Sequence, residues 1–161
     1  MSITIRDAVS SDAQTILDFI IELAIYEKAQ EEVKTDVEQT RKAIFGKDST
    51  VKALICEKDG EPIGYAVYFY NYSTWLGKKG IYLEDLYINE KNRGLGAGKM
   101  MLRYLAKKAI DEDCGRVEWS CLHWNTPSRE FYERLGAKAQ NEWVGYRLEG
   151  ICLNDFANSE R

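Results

Sequence analysis

The stretch "YLEDLYINEKNRGLGAGKMM" (residues 82–101) decides how the chain folds around its functional site. A short apolar and aromatic run leads into a polar turn, and glycine then occupies the three alternate positions 94, 96 and 98. Over about 96–111 the apolar residues recur on one stripe, which predicts an amphipathic helix. A glycine-rich turn between a strand and a helix exposes N–H groups to which a bulky anion can come close. The stretch therefore predicts a phosphate or pyrophosphate site; a glycine turn used only for packing is the alternative.

Spacing excludes two familiar phosphate loops. A Walker A loop needs glycine five positions before Gly98, where Arg93 stands, and Ser or Thr after Lys99, where Met100 stands. A dinucleotide fingerprint needs glycine three positions after Gly96, and that residue is Lys99. The pattern that remains is R-G-x-G-x-G-K, headed by Arg93.

Composition predicts an ordinary globular protein. The 161 residues are 45% hydrophobic and 30% charged, which is typical of a single folded domain, here residues 1–161. A net charge of −4 argues against nucleic acid as a partner. The apolar stretch 16–26 is too short to span a bilayer and contains acidic residues, so no membrane partner is expected. Four scattered cysteines and one histidine predict reduced thiols in a cytoplasmic protein and no metal site.

Periodicity and turn residues predict an α/β fold. Strands are expected at 3–9, on both sides of the Asp59-Gly60 hairpin turn, and at 80–88, 116–123 and 142–150. Helices are expected at 10–28, 36–45, 96–111 and 125–136, capped by Ser11, Thr35 and Thr126 where a start signal is visible, with a further helical turn in the tail. This order predicts a mixed, mostly antiparallel sheet with a parallel pair near the glycine turn.

Five blocks carry a resemblance to a known family: "ELAIYEK" (22–28), "YLEDLYI" (82–88), "NRGLGAGKMML" (92–102), "WNTPSREFYERLGA" (124–137) and "YRL" (146–148). Together they resemble the GNAT superfamily of N-acetyltransferases, and within it the spermidine/spermine (diamine) acetyltransferase branch. The resemblance implies a single-domain GNAT fold with helices on both faces of the sheet. It also implies that the parallel strands 81–88 and 116–123 splay apart to admit the pantetheine of acetyl-CoA, and that the protein is a homodimer.

The resemblance also implies residue roles. The coenzyme is expected to meet the backbone of Leu86, Tyr87 and Ile88, the pyrophosphate loop Arg93, Gly94, Leu95, Gly96, Ala97, Gly98 and Lys99, and the helix start at Asn125 and Ser128. Tyr132 matches the family's proton donor. The amine side is expected to contain Tyr26, Glu27 and Glu84, joined by the neighbouring acid Asp85.

The chemistry of acetyl transfer suits these residue types. An alkylammonium is only about one part in a thousand neutral at pH 7, and a carboxylate such as Glu84 can take its proton through a water. The Tyr132 phenol can protonate the leaving thiolate. Strand alternation predicts that Tyr82, Glu84, Leu86 and Ile88 share one face and that Asp85 lies on the other.

Structural alternatives compete with each of these roles. Tyr132 can be a core aromatic beside Phe131, and Glu84 with Asp85 can form a solvated strand end or a structural salt bridge. We expect His123 to be structural rather than a base.

The acceptor is predicted less sharply than the reaction. Some polyamine acetyltransferases carry acidic residues where this chain has Trp143 and Val144, so short diamines or lysine-like amines are expected over spermine. The leading hypothesis is direct acetyl transfer to a small cationic amine. An amino acid, antibiotic or protein amine as acceptor, and a non-catalytic acyl-CoA-binding module, are the alternatives.

Overall fold

The computed structural model describes residues 1–160 and contains five strands and five helices within that range. The strands are β1 (Ile3–Asp7), β2 (Lys52–Lys58), β3 (Glu61–Ser73), β4 (Lys78–Ile88) and β5 (Val117–Trp119). The helices are α1 (Ala13–Tyr26), α2 (Val37–Phe45), α3 (Ala97–Asp111), α4 (Thr126–Arg134) and α5 (Gly150–Ala157). The chain divides into two compact units, Met1–Leu122 with the sheet and α1 to α3, and the residues from His123 onward with α4 and α5.

The sheet has the predicted mixed topology. Its strands lie in the order β1-β2-β3-β4-β5, and every neighbouring pair is antiparallel except β4 and β5. The predicted hairpin turn is confirmed, since Asp59 and Gly60 have φ of 51° and 86° between β2 and β3. Two consecutive positive φ values fit the right-handed twist of a tight hairpin.

Helices cover both faces of this sheet, as predicted. On one face of the sheet, Ile16 and Phe19 of α1 pack into a buried cluster with Ile55, Tyr65 and Tyr87. We call this side of the sheet the α1 face. On the other face α3 buries one stripe, which consists of Ala97, Met101, Leu102, Leu105 and Ala109. That stripe follows the periodicity visible in the sequence, so α3 begins and ends within one residue of its prediction.

The helix caps differ from the predicted ones. Before α1 the Asp12 carboxylate, rather than Ser11, accepts the Val9 N–H at 2.7 Å. Helix α2 is capped by Asp36, and α4 by Asn125, so Thr35 and Thr126 are wrong. The caps of α2 and α4 are an Asp and an Asn, each one position from the predicted Thr, whereas α1 has no side-chain cap. Which of two neighbouring polar residues caps a helix depends on whether its side-chain oxygen reaches a free backbone N–H in the first turn.

Two strand predictions fail toward the C-terminus. Strand β5 covers only Val117–Trp119 of the predicted 116–123, because its ladder with β4 stops at the pair Leu83–Trp119. The predicted strand 142–150 is wrong, since residues 143–149 have no regular structure and the helical tail is α5. An alternating apolar pattern forms a strand only where a neighbouring strand supplies hydrogen bonds, and the described sheet does not include this segment.

A β-bulge in β4 changes part of the predicted face assignment. Val67 pairs with Asp85 and the next residue, Tyr68, pairs with Leu83, so Glu84 is an extra residue with no partner on β3. An extra residue shifts the alternation by one, so side chains before and after it exchange faces. Asp85 therefore lies on the α1 face.

The same shift separates residues that were expected together. Tyr82 pairs with Phe69 on the α1 face, and their ring centroids lie 5.1 Å apart with the planes tilted by 30°. Leu86 pairs with Ala66 on the opposite face. Leu86 and Ile88 share one face and Asp85 lies on the other, as predicted, but Tyr82 lies on the face of Asp85, so its place in the predicted set is wrong. None of the helices between residues 1 and 160 has the length and apolar character needed to cross a bilayer.

Candidate active site

The glycine loop forms an open cradle at the start of α3. Gly94 and Gly96 have φ of 83° and 82°, the left-handed region that favours glycine. A Cβ placed at Gly94, Gly96 or Gly98 would meet no atom within 4 Å, so the space in front of the loop is free. The first N–H groups of a helix have no partner inside it and carry the positive end of its dipole. The loop and the helix start therefore fit a phosphate or pyrophosphate.

Arg93 is anchored behind this loop. Its Nε donates a 3.0 Å hydrogen bond to the Ile88 carbonyl, and its guanidinium lies 4.9 Å from the Tyr26 ring centroid and 5.5 Å from that of Tyr87. The structure thus brings together Arg93 from the loop, Tyr26 from the end of α1 and Tyr87 from β4. These contacts fix the loop to the strand and helix, whatever anion it meets.

The end of β4 presents an open backbone edge. Pairing with β5 is confined to 81–83 of β4, so the rest of the strand has no β5 partner. The Asn89 N–H donates to the Ile63 carbonyl of β3 at 2.8 Å. Because successive backbone groups point to alternate sides of a strand, those of Leu86 and Ile88 point away from β3 and toward the open edge. The splayed parallel pair expected from the sequence is present.

A cluster of acids and tyrosines lies on the α1 face beside this edge. The Tyr65 hydroxyl donates a 2.8 Å hydrogen bond to Oδ2 of Asp85, and the Tyr87 hydroxyl donates to Glu22 at 3.3 Å. Burial raises the pKa of Asp85, and the Tyr65 hydrogen bond opposes that rise. Burial, and then the charge of Asp85, raise the pKa of Glu27. Two half-buried carboxylates so placed favour a bound cation.

Glu84 differs from this cluster in its environment. It is the bulge residue and is exposed, whereas Asp85 is half-buried. Within residues 1–160 neither side chain forms an ion pair, which removes the salt-bridge interpretation for the described chain. An exposed carboxylate at a bulge is open to water and substrate, as a proton acceptor needs to be.

The predicted residues of the second unit lie at the start of α4 and along it. Asn125 is 6% exposed, and its Oδ1 accepts the Ser128 N–H at 3.4 Å as the helix cap. Tyr132 is half-buried, with its ring centroid 5.5 Å from that of Phe131. His123 is exposed, and its carbonyl accepts from Arg129 at 3.1 Å. These contacts account for Asn125 as a structural cap and place Tyr132 beside an aromatic neighbour.

Comparison with known proteins decides the family. The model of the acetyltransferase (GNAT) family matches residues 17–137, which include the acid cluster, the glycine loop and α4. The chain belongs to the GNAT acetyltransferase family. Enzymes of this family use acetyl-CoA as cosubstrate, and the open cradle has the room and donors that its pyrophosphate needs.

Relatives of this GNAT acetyltransferase cover nearly its whole length. It is 36% identical to the thialysine N-epsilon-acetyltransferase of Sus scrofa over 97% of this chain and 98% of the relative. It is 30% identical to the human spermidine/spermine N(1)-acetyltransferase-like protein 1 over 97% of this chain but only 24% of that protein. Among solved structures, an integron cassette protein from the mobile metagenome of V. cholerae is similar with a TM-score of 0.84 and 26% identity, over 99% of both chains.

Two site features of this GNAT acetyltransferase escaped the sequence analysis. Tyr65 was part of a strand pattern with no assigned role, yet its hydroxyl contacts Asp85. The bulge at Glu84 left no signal in the strand's own residues, because a bulge is defined by pairing with β3. Among residues 1–160 no group of three or more His, Cys, Asp or Glu side chains is arranged to hold a metal ion.

Proposed function

We propose that this enzyme transfers the acetyl group of acetyl-CoA directly to a primary amine of a small, lysine-like acceptor that carries a second positive charge. The observation that carries the proposal is the pair of half-buried carboxylates, Glu27 and Asp85, next to the exposed Glu84. The names of its relatives support a lysine-like amine over spermine, since the Sus scrofa enzyme acts on thialysine.

For the coenzyme, we assign the pyrophosphate to the cradle of Arg93 through Lys99 and the pantetheine to the open edge of β4. The free N–H groups at the start of α3 suit the pyrophosphate. The backbone groups of Leu86 and Ile88 point to the open edge and suit the pantetheine amides, while Tyr87 pairs with Tyr65 and directs its backbone to β3. Asn125 and Ser128 are assigned to the coenzyme by their match to the family's motif.

For the acceptor, the two half-buried acids receive the distal cation. An ammonium group between Glu27 and Asp85 replaces the repulsion between the two carboxylates with two attractive contacts. A charge-assisted hydrogen bond of this kind contributes about 1.5–3 kcal/mol. Tyr26, at the end of α1 against Arg93, borders both the cradle and the acids.

For the chemistry, the residues handle two protons. Glu84 takes a proton from the reacting ammonium through a water, which frees the nitrogen lone pair to attack the thioester carbonyl. Acetyl-CoA supplies that thioester: the new C–N bond forms as the C–S bond breaks. Tyr132 donates its phenolic proton to the departing sulfur. The nitrogen loses its second proton as the amide forms, and that proton restores the phenol through solvent while Glu84 releases the first to water.

Glu27→Gln tests the assignment of the acceptor site. Wild type is expected to favour a dication over a monoamine of equal length by roughly ten- to hundredfold in kcat/KM, and the variant to lose most of this preference while monoamine turnover stays nearly intact. The measurement is steady-state thiol release with both amines. Glu61→Gln, which removes the same charge from an exposed position at the start of β3, is the control. Equal preference in wild type and Glu27→Gln would contradict the assignment.

The same preference is expected to depend on pH. The pKa values of Glu27 and Asp85 are raised, so both acids take up protons at a higher pH than ordinary carboxylates do. A protonated acid no longer attracts a cation. The dication preference should therefore fall as the pH drops from neutral, whereas that of an enzyme with ordinary carboxylates would persist to lower pH.

We also propose that the protein is a homodimer, formed through its exposed C-terminal segment. Seven large apolar side chains within 143–156 are each at least half exposed: Trp143, Val144, Tyr146, Leu148, Ile151, Leu153 and Phe156. A stable dimer buries roughly 800 Å² per partner around an apolar centre, and exposed apolar side chains of this kind suit such a centre. We take the partner that covers this segment to be a second copy of the chain, because every solution of the protein contains one. A cytoplasmic location stays a prediction from the cysteine pattern.

The dimer proposal predicts a change of mass. Replacing Ile151 and Phe156 together by aspartate should convert a dimer into a monomer in light scattering, since charges on this surface oppose its burial. Val9→Asp, which places a charge on a 54% exposed apolar residue elsewhere, should leave the mass unchanged. A monomeric wild type at tens of micromolar would overturn the proposal.

A further inference from the structure

Tyr65 belongs to no family block in the sequence, yet it touches the centre of the acid cluster. We infer that Tyr65 is a positioning residue, which holds the Asp85 carboxylate in place to receive the second cation of the acceptor. The inference rests on the proposed function and adds a residue that determines acceptor specificity through Asp85 rather than by touching the substrate.

The geometry leaves Tyr65 little freedom to do anything else. Its side chain is 0% exposed, and its ring stacks on Phe19 of α1 with centroids 6.0 Å apart and planes 9° from parallel. From this fixed ring the hydroxyl donates to Oδ2 of Asp85 at 2.8 Å. One carboxylate oxygen is thereby engaged by the protein, and the other keeps its capacity to accept from a cation.

A phenylalanine would fill the same space without a buried hydroxyl to satisfy. A buried phenol needs a hydrogen-bond partner, and burying one without need is costly. Here the partner is an acid whose backbone follows the bulge directly, at the point where β4 has just changed faces. The Tyr65 hydroxyl therefore fixes the carboxylate of Asp85, the residue that directly follows the bulge.

The charges around Asp85 explain why a donor is needed. Glu27 approaches from the end of α1, and the pair Tyr87 and Glu22 lies on the same face, with Arg93 stacked on the Tyr87 ring. Burial alone would drive Asp85 toward its neutral form. The Tyr65 hydroxyl opposes this because its hydrogen bond lowers the pKa of Asp85, and its own pKa is raised so far that it remains a donor.

The test is Tyr65→Phe, which removes one oxygen and little volume. For a dication we expect KM to rise about tenfold with kcat within about twofold of wild type, and KM for a monoamine of equal length to stay unchanged. Without the hydroxyl the pKa of Asp85 rises further, so the acid limb of kcat/KM for the dication should move to higher pH by roughly one unit. A residue that only filled the core would shift no pH profile.

Two further variants make the test specific. Tyr70→Phe removes a matched tyrosine–carboxylate hydrogen bond on the same strand, from Tyr70 to Glu112 at 2.8 Å, and should leave both the KM ratio and the pH profile unchanged. Adding Tyr65→Phe to an Asp85→Asn variant should raise the dication KM no further, because the two residues act through one contact.

The outcomes separate the inference from the function on which it rests. If wild type prefers dications and Tyr65→Phe keeps that preference and pH profile, the inference is overturned and the proposed function stands. Equal loss of both amines together with a lower Tm would show a structural role and would also overturn it. A wild type without any dication preference would overturn the proposed acceptor site and this inference together.

Discussion

Tyr132→Phe is expected to lower kcat about 10²-fold or more while the affinity for acetyl-CoA changes little. The substitution removes one hydroxyl and almost no volume, so the half-buried ring keeps its contact with Phe131. If this hydroxyl protonates the departing thiolate, its loss removes the benefit that a general acid usually supplies. The measurement is single-turnover thiol release, in which chemistry limits the rate, together with calorimetry of coenzyme binding.

Tyr72→Phe is the matched control for Tyr132→Phe. Tyr72 is 63% exposed on β3, and Tyr72→Phe should leave kcat unchanged. Full kcat in Tyr132→Phe under single-turnover conditions would mean that the proton comes from elsewhere, such as water, and that Tyr132 has the alternative role of a packed aromatic.

Gly98→Val is expected to abolish measurable binding of acetyl-CoA while the protein stays folded. Gly98 is the second residue of α3, has no positive φ, and a Cβ there meets no atom within 4 Å. Valine forms helix better than glycine does, so the fold should not lose stability. The branched side chain would project into the cradle and keep a bulky anion from the backbone N–H groups.

Gly98 is a cleaner probe than its neighbour Gly96. Gly96 has φ of 82°, where valine would strain the backbone, so a loss of binding there would have two explanations. Ala106→Val, on the exposed side of the same helix, controls for a branched residue in α3. Calorimetry that gave undiminished affinity in Gly98→Val, with an unchanged Tm, would remove the loop from the coenzyme site.

The parts of the fold that follow local rules could be predicted from the sequence. The α3 stripe and the Asp59-Gly60 hairpin depend on residues a few positions apart, and both are confirmed. The open geometry of the glycine loop belongs to the same class, because glycine spacing and the following helix define it within a few residues.

Features that depend on pairing between distant segments could not be predicted. The bulge at Glu84 exists because β3 offers one residue fewer than β4, and no property of "YLEDLYI" alone reveals this. Because of the bulge, Asp85 lies on the same face of the sheet as Tyr65 and accepts its hydrogen bond. Residues 143–149 also depend on distant pairing. Their sequence alternates like a strand, but they have no regular structure because the described sheet offers them no partner strand.

We propose that this enzyme acetylates a small amine whose second cation is held by Glu27 and Asp85. The decisive measurement is thiol release from acetyl-CoA, followed side by side with a lysine-like dication and a monoamine of equal length. We expect turnover of both amines, with kcat/KM roughly ten- to hundredfold higher for the dication at neutral pH. Equal kcat/KM for the two amines, or no thiol release with either while acetyl-CoA binds, would contradict it.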